Sequence, residues 1–257
     1  MISRRQFSAL GAGVAAATLS ATASAQAATP RPKRAVRNVV LVHGAYADGS
    51  SWSKVIPLLQ AAGLNVISVQ NPLTSLADDV AATNFALARQ EGPTVLVAHS
   101  YGGTVISQTG LAANVTGLVY VAARAPEAGE DFAALAAKFP TPPVNAGIIT
   151  SGGFKYLGRQ AFLEDFANGV PRKEALALYA AQGPFSVAPP TTSVAAWHQK
   201  PSWYAVSKND RTINPDLERY MARRMNATTI EVDAGHLSLV THPQTIAGLI
   251  LQATARS

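Results

Sequence analysis

The chain has 257 residues, of which 48% are hydrophobic, enough to bury the core of one large α/β domain. It contains no cysteine, so we expect neither a disulfide nor a lipid-modified cysteine. The net charge is +6, but residues 38–257 carry 15 basic and 15 acidic side chains. This balance in the expected folded part argues against nucleic acid or an anionic membrane as a partner.

The first 27 residues have the layout of an export signal. Arg4 and Arg5 stand in the pattern S-R-R-x-F, and an apolar stretch and a tract of small residues follow. Paired arginines are typical of the twin-arginine export route. A membrane anchor or an amphipathic helix is the alternative, but the apolar stretch is short and rich in Gly and Ala. We predict a signal peptide over residues 1–27, cleaved after Ala25 or Ala27, and a periplasmic or secreted protein.

A basic linker, residues 28–37, is predicted to precede an α/β domain over residues 38–257. There, nearly continuous apolar runs alternate with helical patterns, which is typical of parallel strands covered on both faces. Strands are predicted at residues 36–45, 64–72, 94–100, 115–123, 201–210 and 228–236. Helices are predicted at about 51–62, 75–91, 102–112, 214–225 and 240–253. The alternation predicts βαβ units in a mostly parallel six-stranded sheet with helices on both faces.

One segment, at about residues 124–197, interrupts this alternation after the fourth strand. It shows helical patterns, no convincing strand, and six of the eight Phe residues of the chain. Such an insertion predicts a helical cap over the carboxyl end of the sheet. Aromatic and apolar residues in and near it favour an apolar substrate over a charged one. The predicted pocket residues are Tyr46, Phe154, Tyr156, Phe162, Phe166, Trp197 and Leu237.

The third predicted strand ends in Ala98-His99-Ser100-Tyr101-Gly102. This matches the nucleophile-elbow pattern G-x-S-x-G with Ala in place of the first Gly. Only small residues fit two positions before and two positions after the serine, and Ala98 and Gly102 are both small. Ser100 could instead cap the helix that follows. The pattern favours Ser100 as a nucleophile.

The loop after the first strand, His43-Gly44-Ala45-Tyr46, can provide a backbone donor. An oxyanion hole needs two N–H groups, one from this loop and one from the residue after the nucleophile. We predict the N–H groups of Ala45 and Tyr101, with Tyr46 as the alternative to Ala45. His43 is expected to brace the loop.

Two later strand ends carry an acid and a base. Asp210 ends the fifth predicted strand, and His236 follows the sixth. The carboxyl ends of parallel strands lie at one edge of a sheet, where ligands bind, so both residues are expected near Ser100. The chain order Ser100, Asp210, His236 is that of a known type of catalytic triad. Other acids are less well placed at strand ends, namely Asp216, Glu231 and Asp233.

The segments LVHGAYADGSSW, AHSYGG, PSWYAVSKNDRTI and DAGHLSLVTHP resemble those of the α/β-hydrolases, in particular the small esterase and hydroxynitrile lyase-like group and its bacterial carboxylesterase-type members. The resemblance covers about residues 37–253 and is weak in the cap. It implies Ser100 as nucleophile, His236 as base, Asp210 as orienting acid and a small helical cap. The predicted reaction is cleavage of small to medium, apolar carboxylic esters through an acyl-enzyme.

Three other functions are alternatives to ester hydrolysis for a chain of this type. A hydroxynitrile lyase of this group has Thr and Lys where this chain has Gly44 and Leu237, so no lysine would stabilise departing cyanide. A cofactor-free haloperoxidase or perhydrolase side activity would use the same triad, and a non-catalytic ligand-binding protein would not need all three residues. No cofactor and no metal are expected, because no His or carboxylate cluster has ligand spacing. The expected partner is a small-molecule ester. No nucleic acid is expected to bind, and no membrane after the signal peptide is cleaved. The sequence carries no signal for an oligomeric state.

Overall fold

The computed structural model describes residues 35–257, so the predicted signal peptide lies outside the described residues. In chain order, the strands of this part are β1 (Asn38–Val42), β2 (Asn65–Ser68), β3 (Thr94–His99), β4 (Val115–Val121), β5 (Ile148–Ser151), β6 (Phe154–Leu157), β7 (Phe185–Ser186), β8 (Ser202–Ser207) and β9 (Thr228–Val232). Six of them form one parallel sheet in the order β2-β1-β3-β4-β8-β9. The predicted parallel six-stranded sheet is confirmed.

The helices largely follow the predicted alternation. They are α1 (Ile56–Ala61), α2 (Leu76–Ala88), α3 (Gly102–Thr109), α4 (Phe132–Ala136), α5 (Arg159–Ala161), α6 (Arg172–Ala180), α7 (Pro215–Arg224), α8 (Ser238–Thr241) and α9 (Pro243–Arg256). Short 3₁₀ segments occur at Gly49–Trp52, Pro143–Gly147 and Ala196–His198, and a π-helical turn at Phe162–Phe166 follows α5. The last predicted helix is divided before Pro243, which has no N–H to continue α8.

The sheet is buried between two groups of helices. All residues of β1, β3 and β8 are buried, which explains their nearly continuous apolar runs. Helix α9 packs on β3, β4 and β8, and α1 packs on α9 and on β2. Helices α2 and α3 pack on each other and on β1. None of the helices between residues 35 and 257 combines the length and hydrophobicity that crossing a bilayer requires.

The cap after β4 differs from its prediction. Helices α4, α5 and α6 form close to the predicted helical patterns, but β5, β6 and β7 form a separate antiparallel sheet. The expectation of no strand in this segment was therefore wrong. Strands β5 and β6 are joined at Gly152 and Gly153, whose φ angles are +57° and +83°. Glycine adopts these left-handed angles without strain, so the pair forms a tight hairpin turn.

A close approach in α3 gives a prediction about stability. A Cβ atom on Gly103 would overlap the carbonyl oxygen of Arg124, whereas one on Gly248 in α9 would meet nothing within 4 Å. Overpacking against backbone typically costs about 1–3 kcal/mol, so Gly103→Ala should lower the free energy of unfolding by about that amount. Gly248→Ala should raise it by about 0.5–1 kcal/mol, because alanine is the better helix former. Urea unfolding measures both, and equal effects would contradict the close approach.

Candidate active site

Ser100 lies between β3 and α3, at the carboxyl edge of the sheet. Its φ angle is +54°, in the left-handed region that residues other than glycine rarely adopt. The turn is tight, since a Cβ on Gly102 would lie 2.7 Å from the carbonyl oxygen of Val42 and 2.8 Å from that of His43. The N-cap residue of α3 is Tyr101, so Ser100 does not serve as the cap. Such backbone strain is typical of functional sites, and the turn has the shape of a nucleophile elbow.

His236 lies between Ser100 and Asp210, within hydrogen-bonding distance of each. The Nε2 atom of His236 is 2.9 Å from Oγ of Ser100, and its Nδ1 atom is 2.5 Å from Oδ2 of Asp210. The other carboxylate oxygen of Asp210 accepts the backbone N–H groups of Thr212 at 2.6 Å and Ile213 at 2.9 Å. These bonds orient Asp210 toward the imidazole. With Nδ1–H donated to Asp210, Nε2 is free to accept the hydroxyl proton of Ser100.

The backbone of Ala45 and Tyr101 provides free N–H groups beside Ser100. Within residues 35–257 neither N–H has a protein acceptor, and the same is true of Tyr46. Gly44 brings its loop against the serine, because a Cβ there would lie 2.6 Å from Cβ of Ser100. Ala45, Tyr46 and Ser100 line the same cavity. The loop after β1 and the start of α3 therefore present donors where an oxyanion hole was predicted.

A buried hydrogen bond, not anticipated from the sequence, anchors the side chain of Tyr101. Its hydroxyl donates to Oδ2 of Asp79 at 2.7 Å, and Oδ1 of Asp79 accepts the N–H of Leu73 at 2.7 Å. Burial raises the pKa of both Asp79 and Tyr101. The ring of Tyr101 packs on Phe185, with 4.6 Å between the ring centroids. These contacts fix the position of Tyr101, the residue directly after Ser100.

Two further histidines have structural roles. His43 donates from Nδ1 to the carbonyl oxygen of Gly44 at 2.8 Å and accepts the N–H of Asn71 at Nε2 at 2.9 Å. His99 donates from Nε2 to the carbonyl oxygen of His236 at 3.1 Å. Burial lowers the pKa of both residues, that of His99 far below its usual range. His43 therefore braces its loop, and a neutral His99 holds the backbone of His236.

Glu218 on α7, also not anticipated from the sequence, lies behind Asp210. It is fully buried, and its Oε2 atom accepts the N–H of Ser207 at 3.0 Å. Its other carboxyl oxygen, Oε1, is buried and has no hydrogen-bond partner within residues 35–257. Burial, and then the negative charge of Asp210, raises the pKa of Glu218 well above its usual range. The folded state therefore favours the neutral, protonated form of Glu218.

This raised pKa predicts a pH-dependent stability difference. The unfolded chain releases the proton of Glu218 above a pKa of about 4.3, whereas the folded protein keeps it to higher pH. The contribution of this proton to the free energy of unfolding is therefore complete below the unfolded pKa and is lost as pH rises through the folded pKa. Glu218→Gln keeps one acceptor and one donor but does not titrate. The stability of this variant relative to wild type should increase with pH, with a slope approaching about 1.4 kcal/mol per pH unit. Urea unfolding at a series of pH values measures it.

The exposed Glu91→Gln provides the matched control, for which the difference should stay nearly constant. If the stability of Glu218→Gln relative to wild type also did not change with pH, this would contradict a buried acid with a raised pKa.

A cavity of about 430 Å³ opens beside Ser100. Most of its walls are apolar and come from the cap and from the start of α7. These apolar residues include Phe132, Ala136, Pro142, Phe185, Val187, Pro190, Ile213 and Leu217. Its charged lining residues are Arg124, Asp131 and Lys155. The described part of the chain, residues 35–257, contains no group of three or more His, Asp or Glu side chains that could hold a metal ion.

Four of the predicted pocket residues lie close to the site. Tyr46 lines the cavity itself, and it also lines a smaller apolar pocket with Phe162, Phe166 and Leu237. The ring of Phe166 lies 5.3 Å from that of His236 and 6.1 Å from that of Tyr46. Phe162, Phe166 and Leu237 thus support the site from outside the main cavity.

The other three predicted pocket residues require correction. Phe154 and Tyr156 lie in β6 but do not line the cavity, whereas Lys155 between them does. Side chains alternate between the faces of a strand, so the two aromatic rings belong to the face opposite Lys155. Trp197 is buried in a 3₁₀ turn, where its indole N–H donates to the carbonyl oxygen of Pro126 at 3.0 Å.

Comparison with known proteins identifies the family that this chain matches and the fold that it shares with solved structures. A family model described as "Alpha/beta hydrolase family" matches residues 39–249. A carbendazim hydrolyzing esterase of Nocardioides sp. (strain SG-4G) is 32% identical over an alignment of 131 positions, and the match covers 46% of this chain and 53%, about half, of that protein. A pyrethroid hydrolase of Sphingobium wenxiniae is 26% identical over an alignment of 253 positions, and the match covers 84% of this chain and 86% of that protein.

Among solved structures, polyneuridine aldehyde esterase superposes with a TM-score of 0.74 at 17% identity, covering 84% of this chain and 98% of that chain. At this identity the likeness shows the fold, and the fold class predicted from the sequence is confirmed.

Proposed function

The chain belongs to the alpha/beta hydrolase family, and we propose that it is a serine carboxylesterase. Ser100 is the nucleophile, His236 the general base and Asp210 the acid that orients it. The observation that carries the proposal is the distance of 2.9 Å between Oγ of Ser100 and Nε2 of His236. The names of its relatives, an esterase and a pyrethroid hydrolase, support ester cleavage.

In the first half-reaction, Nε2 of His236 takes the hydroxyl proton while Oγ of Ser100 attacks the ester carbonyl carbon. Asp210 stabilises the imidazolium that forms. The carbonyl oxygen becomes negatively charged and accepts the N–H groups of Ala45 and Tyr101. Loss of one such donor typically lowers kcat by about 10²- to 10³-fold. The C–O bond to the alcohol then breaks, and the alcohol leaves with the proton from His236, which leaves an acyl-enzyme.

In the second half-reaction, His236 deprotonates a water molecule that attacks the acyl-enzyme. The same backbone donors hold the oxyanion, and the proton returns to Oγ of Ser100 as the carboxylic acid leaves. The bond from His99 to the carbonyl oxygen of His236 keeps the base in place through both steps.

The proposed substrate is a small to medium carboxylic ester with an apolar body. A cavity of about 430 Å³ with mostly apolar walls supports this size and polarity. Carbendazim and a pyrethroid, the compounds in the names of two relatives, belong in the substrate panel.

Fluorophosphonate labelling combined with an ester panel tests the proposed function. Wild-type protein should be labelled at Ser100 and should cleave p-nitrophenyl esters of some chain length, whereas Ser100→Ala should not be labelled and should keep only a small residual rate of cleavage. If folded wild-type protein is not labelled and cleaves none of the esters, the result would contradict the proposal and favour a non-catalytic binding protein.

We further propose that residues 1–27 are a signal peptide and that the enzyme acts outside the cytoplasm. The Arg4-Arg5 pair and the tract of small residues after it support this localisation. Mass spectrometry of the exported protein would locate the cleavage site, and recovery of the whole chain from the cytoplasm alone would contradict it.

A further inference from the structure

The cavity beside Ser100 contains a guanidinium group without a partner. Arg124 follows β4, and its backbone N–H donates to the carbonyl oxygen of Ser100 at 2.9 Å. Its half-buried side chain lines the cavity. Within residues 35–257, the guanidinium forms no ion pair, and its buried Nε atom has no acceptor. The terminal nitrogens of a nearby arginine provide the contrast: the Nε atom of Arg224 also has no acceptor, but its Nη1 and Nη2 atoms donate to the two carboxylate oxygens of Glu130 at 2.8 Å and 2.9 Å.

Aromatic rings hold this guanidinium but do not satisfy its donors. Its central carbon lies 4.5 Å from the ring centroid of Phe132 and 6.0 Å from that of Tyr101. Such cation–π contacts orient the planar group, while its N–H groups stay available for an acceptor at its edge. Burial lowers the pKa of Arg124, but an arginine side chain remains charged in proteins. An enclosed charge of this kind gains from an anionic partner.

The remaining charged groups of the cavity do not neutralise Arg124. Lys155 adds a second cation, and Asp131 is the single carboxylate among the lining residues that the structure describes. Asp131 caps α4, where its Oδ1 atom accepts the N–H groups of Ala133 and Ala134. No nitrogen of Arg124 or Lys155 lies within 4.0 Å of its carboxylate oxygens. The lining residues therefore carry a surplus positive charge next to the serine hydroxyl.

We propose that Arg124 binds an anionic group of the substrate, so that the enzyme acts on esters that carry a second, ionised carboxylate besides the ester that reacts. This inference rests on the proposed esterase function and names its substrate class. A planar guanidinium can bind a carboxylate through two parallel N–H···O bonds. The apolar walls would hold the rest of the molecule. The expectation of an apolar substrate is thereby narrowed to an apolar body with one negative charge.

Two pairs of esters that differ mainly in one carboxylate test this inference. The acyl side is tested with p-nitrophenyl hydrogen adipate against p-nitrophenyl hexanoate, and the alcohol side with 4-acetoxybenzoate against phenyl acetate. Wild-type kcat/KM should favour the anionic ester in at least one pair. Arg124→Met should lower kcat/KM for that ester by about 10- to 100-fold and change its neutral partner less than about threefold. Arg124→Lys keeps the charge but loses the paired donors. Its kcat/KM for the anionic ester should therefore lie between those of wild type and Arg124→Met.

The outcomes separate this inference from the proposed function. Ser100-dependent cleavage of the neutral esters, with no anionic preference in either pair or with equal losses in Arg124→Met, would overturn the inference alone. No Ser100-dependent cleavage of any of the four esters would overturn the esterase itself. Calorimetry provides a test that does not depend on turnover. Ser100→Ala should bind the anionic ester, and the double variant with Arg124→Met should not bind it. Undiminished binding to the double variant would overturn the inference.

Discussion

Replacing Ser100 with alanine should lower kcat for a p-nitrophenyl ester by about 10⁴- to 10⁶-fold and change KM by less than about threefold. The variant loses only the hydroxyl group that lies 2.9 Å from Nε2 of His236. The pair of His236 with Asp210, the N–H groups of Ala45 and Tyr101, and the cavity all remain. The residual rate should therefore reflect binding and oxyanion stabilisation without a covalent step.

Steady-state kinetics together with thermal unfolding measure this effect. The matched control is Ser193→Ala, because Ser193 is exposed, contacts Gln108 and does not line the cavity. Its kcat should stay within about twofold of wild type. A loss in Ser100→Ala smaller than about 100-fold, in a variant that unfolds like wild type, would show that another group attacks the ester.

The arrangement of Ser100, Asp210 and His236 could be predicted because each residue carries a local signal. Each lies just after an apolar run that forms a strand of one parallel sheet. Parallel strands bring their carboxyl ends to the same edge, so the predicted parallel sheet led us to expect residues that are 136 and 26 positions apart at one site. The proximity of the three residues could thus be predicted from the apolar run that precedes each of them.

The cap could be predicted less well, since its signals were short or ambiguous. Gly152-Gly153 between two four-residue runs is a hairpin pattern, but the helical patterns around it dominated the interpretation. The face of β6 that meets the cavity depends on register within the cap sheet. Residue type alone favoured Phe154 and Tyr156, whereas register selects Lys155 and its partner Phe185.

The buried acids carry no sequence signal at all. Glu218 lies on α7, which has a strongly polar face, and its charge alone suggests exposure to solvent. It becomes a neighbour of Asp210 only because α7 packs on β8. Asp79 likewise meets Tyr101 across the contact of α2 with α3. Such residues can be identified only from the assembled fold.

Asp210→Asn should lower kcat by about 10³- to 10⁴-fold, although asparagine has nearly the same shape. The N–H groups of Thr212 and Ile213 donate to Oδ1 of Asp210, so the amide oxygen of asparagine would take that place. Its NH₂ group would then face Nδ1 of His236. The imidazole would accept there and carry its proton on Nε2. In that tautomer, His236 cannot take the proton of Ser100.

Kinetics and nitrogen NMR of His236 distinguish this tautomer change from a loss of structure. The proton should move from Nδ1 in the wild type to Nε2 in Asp210→Asn, while thermal unfolding changes little. Asp216→Asn is the matched control, because Asp216 is exposed and pairs with Arg219 at 2.9 Å, so kcat and the His236 tautomer should stay unchanged. An Asp210→Asn variant that kept both the Nδ1 proton and most of its activity would show that Asp210 does not determine which nitrogen of His236 faces Ser100 as the base.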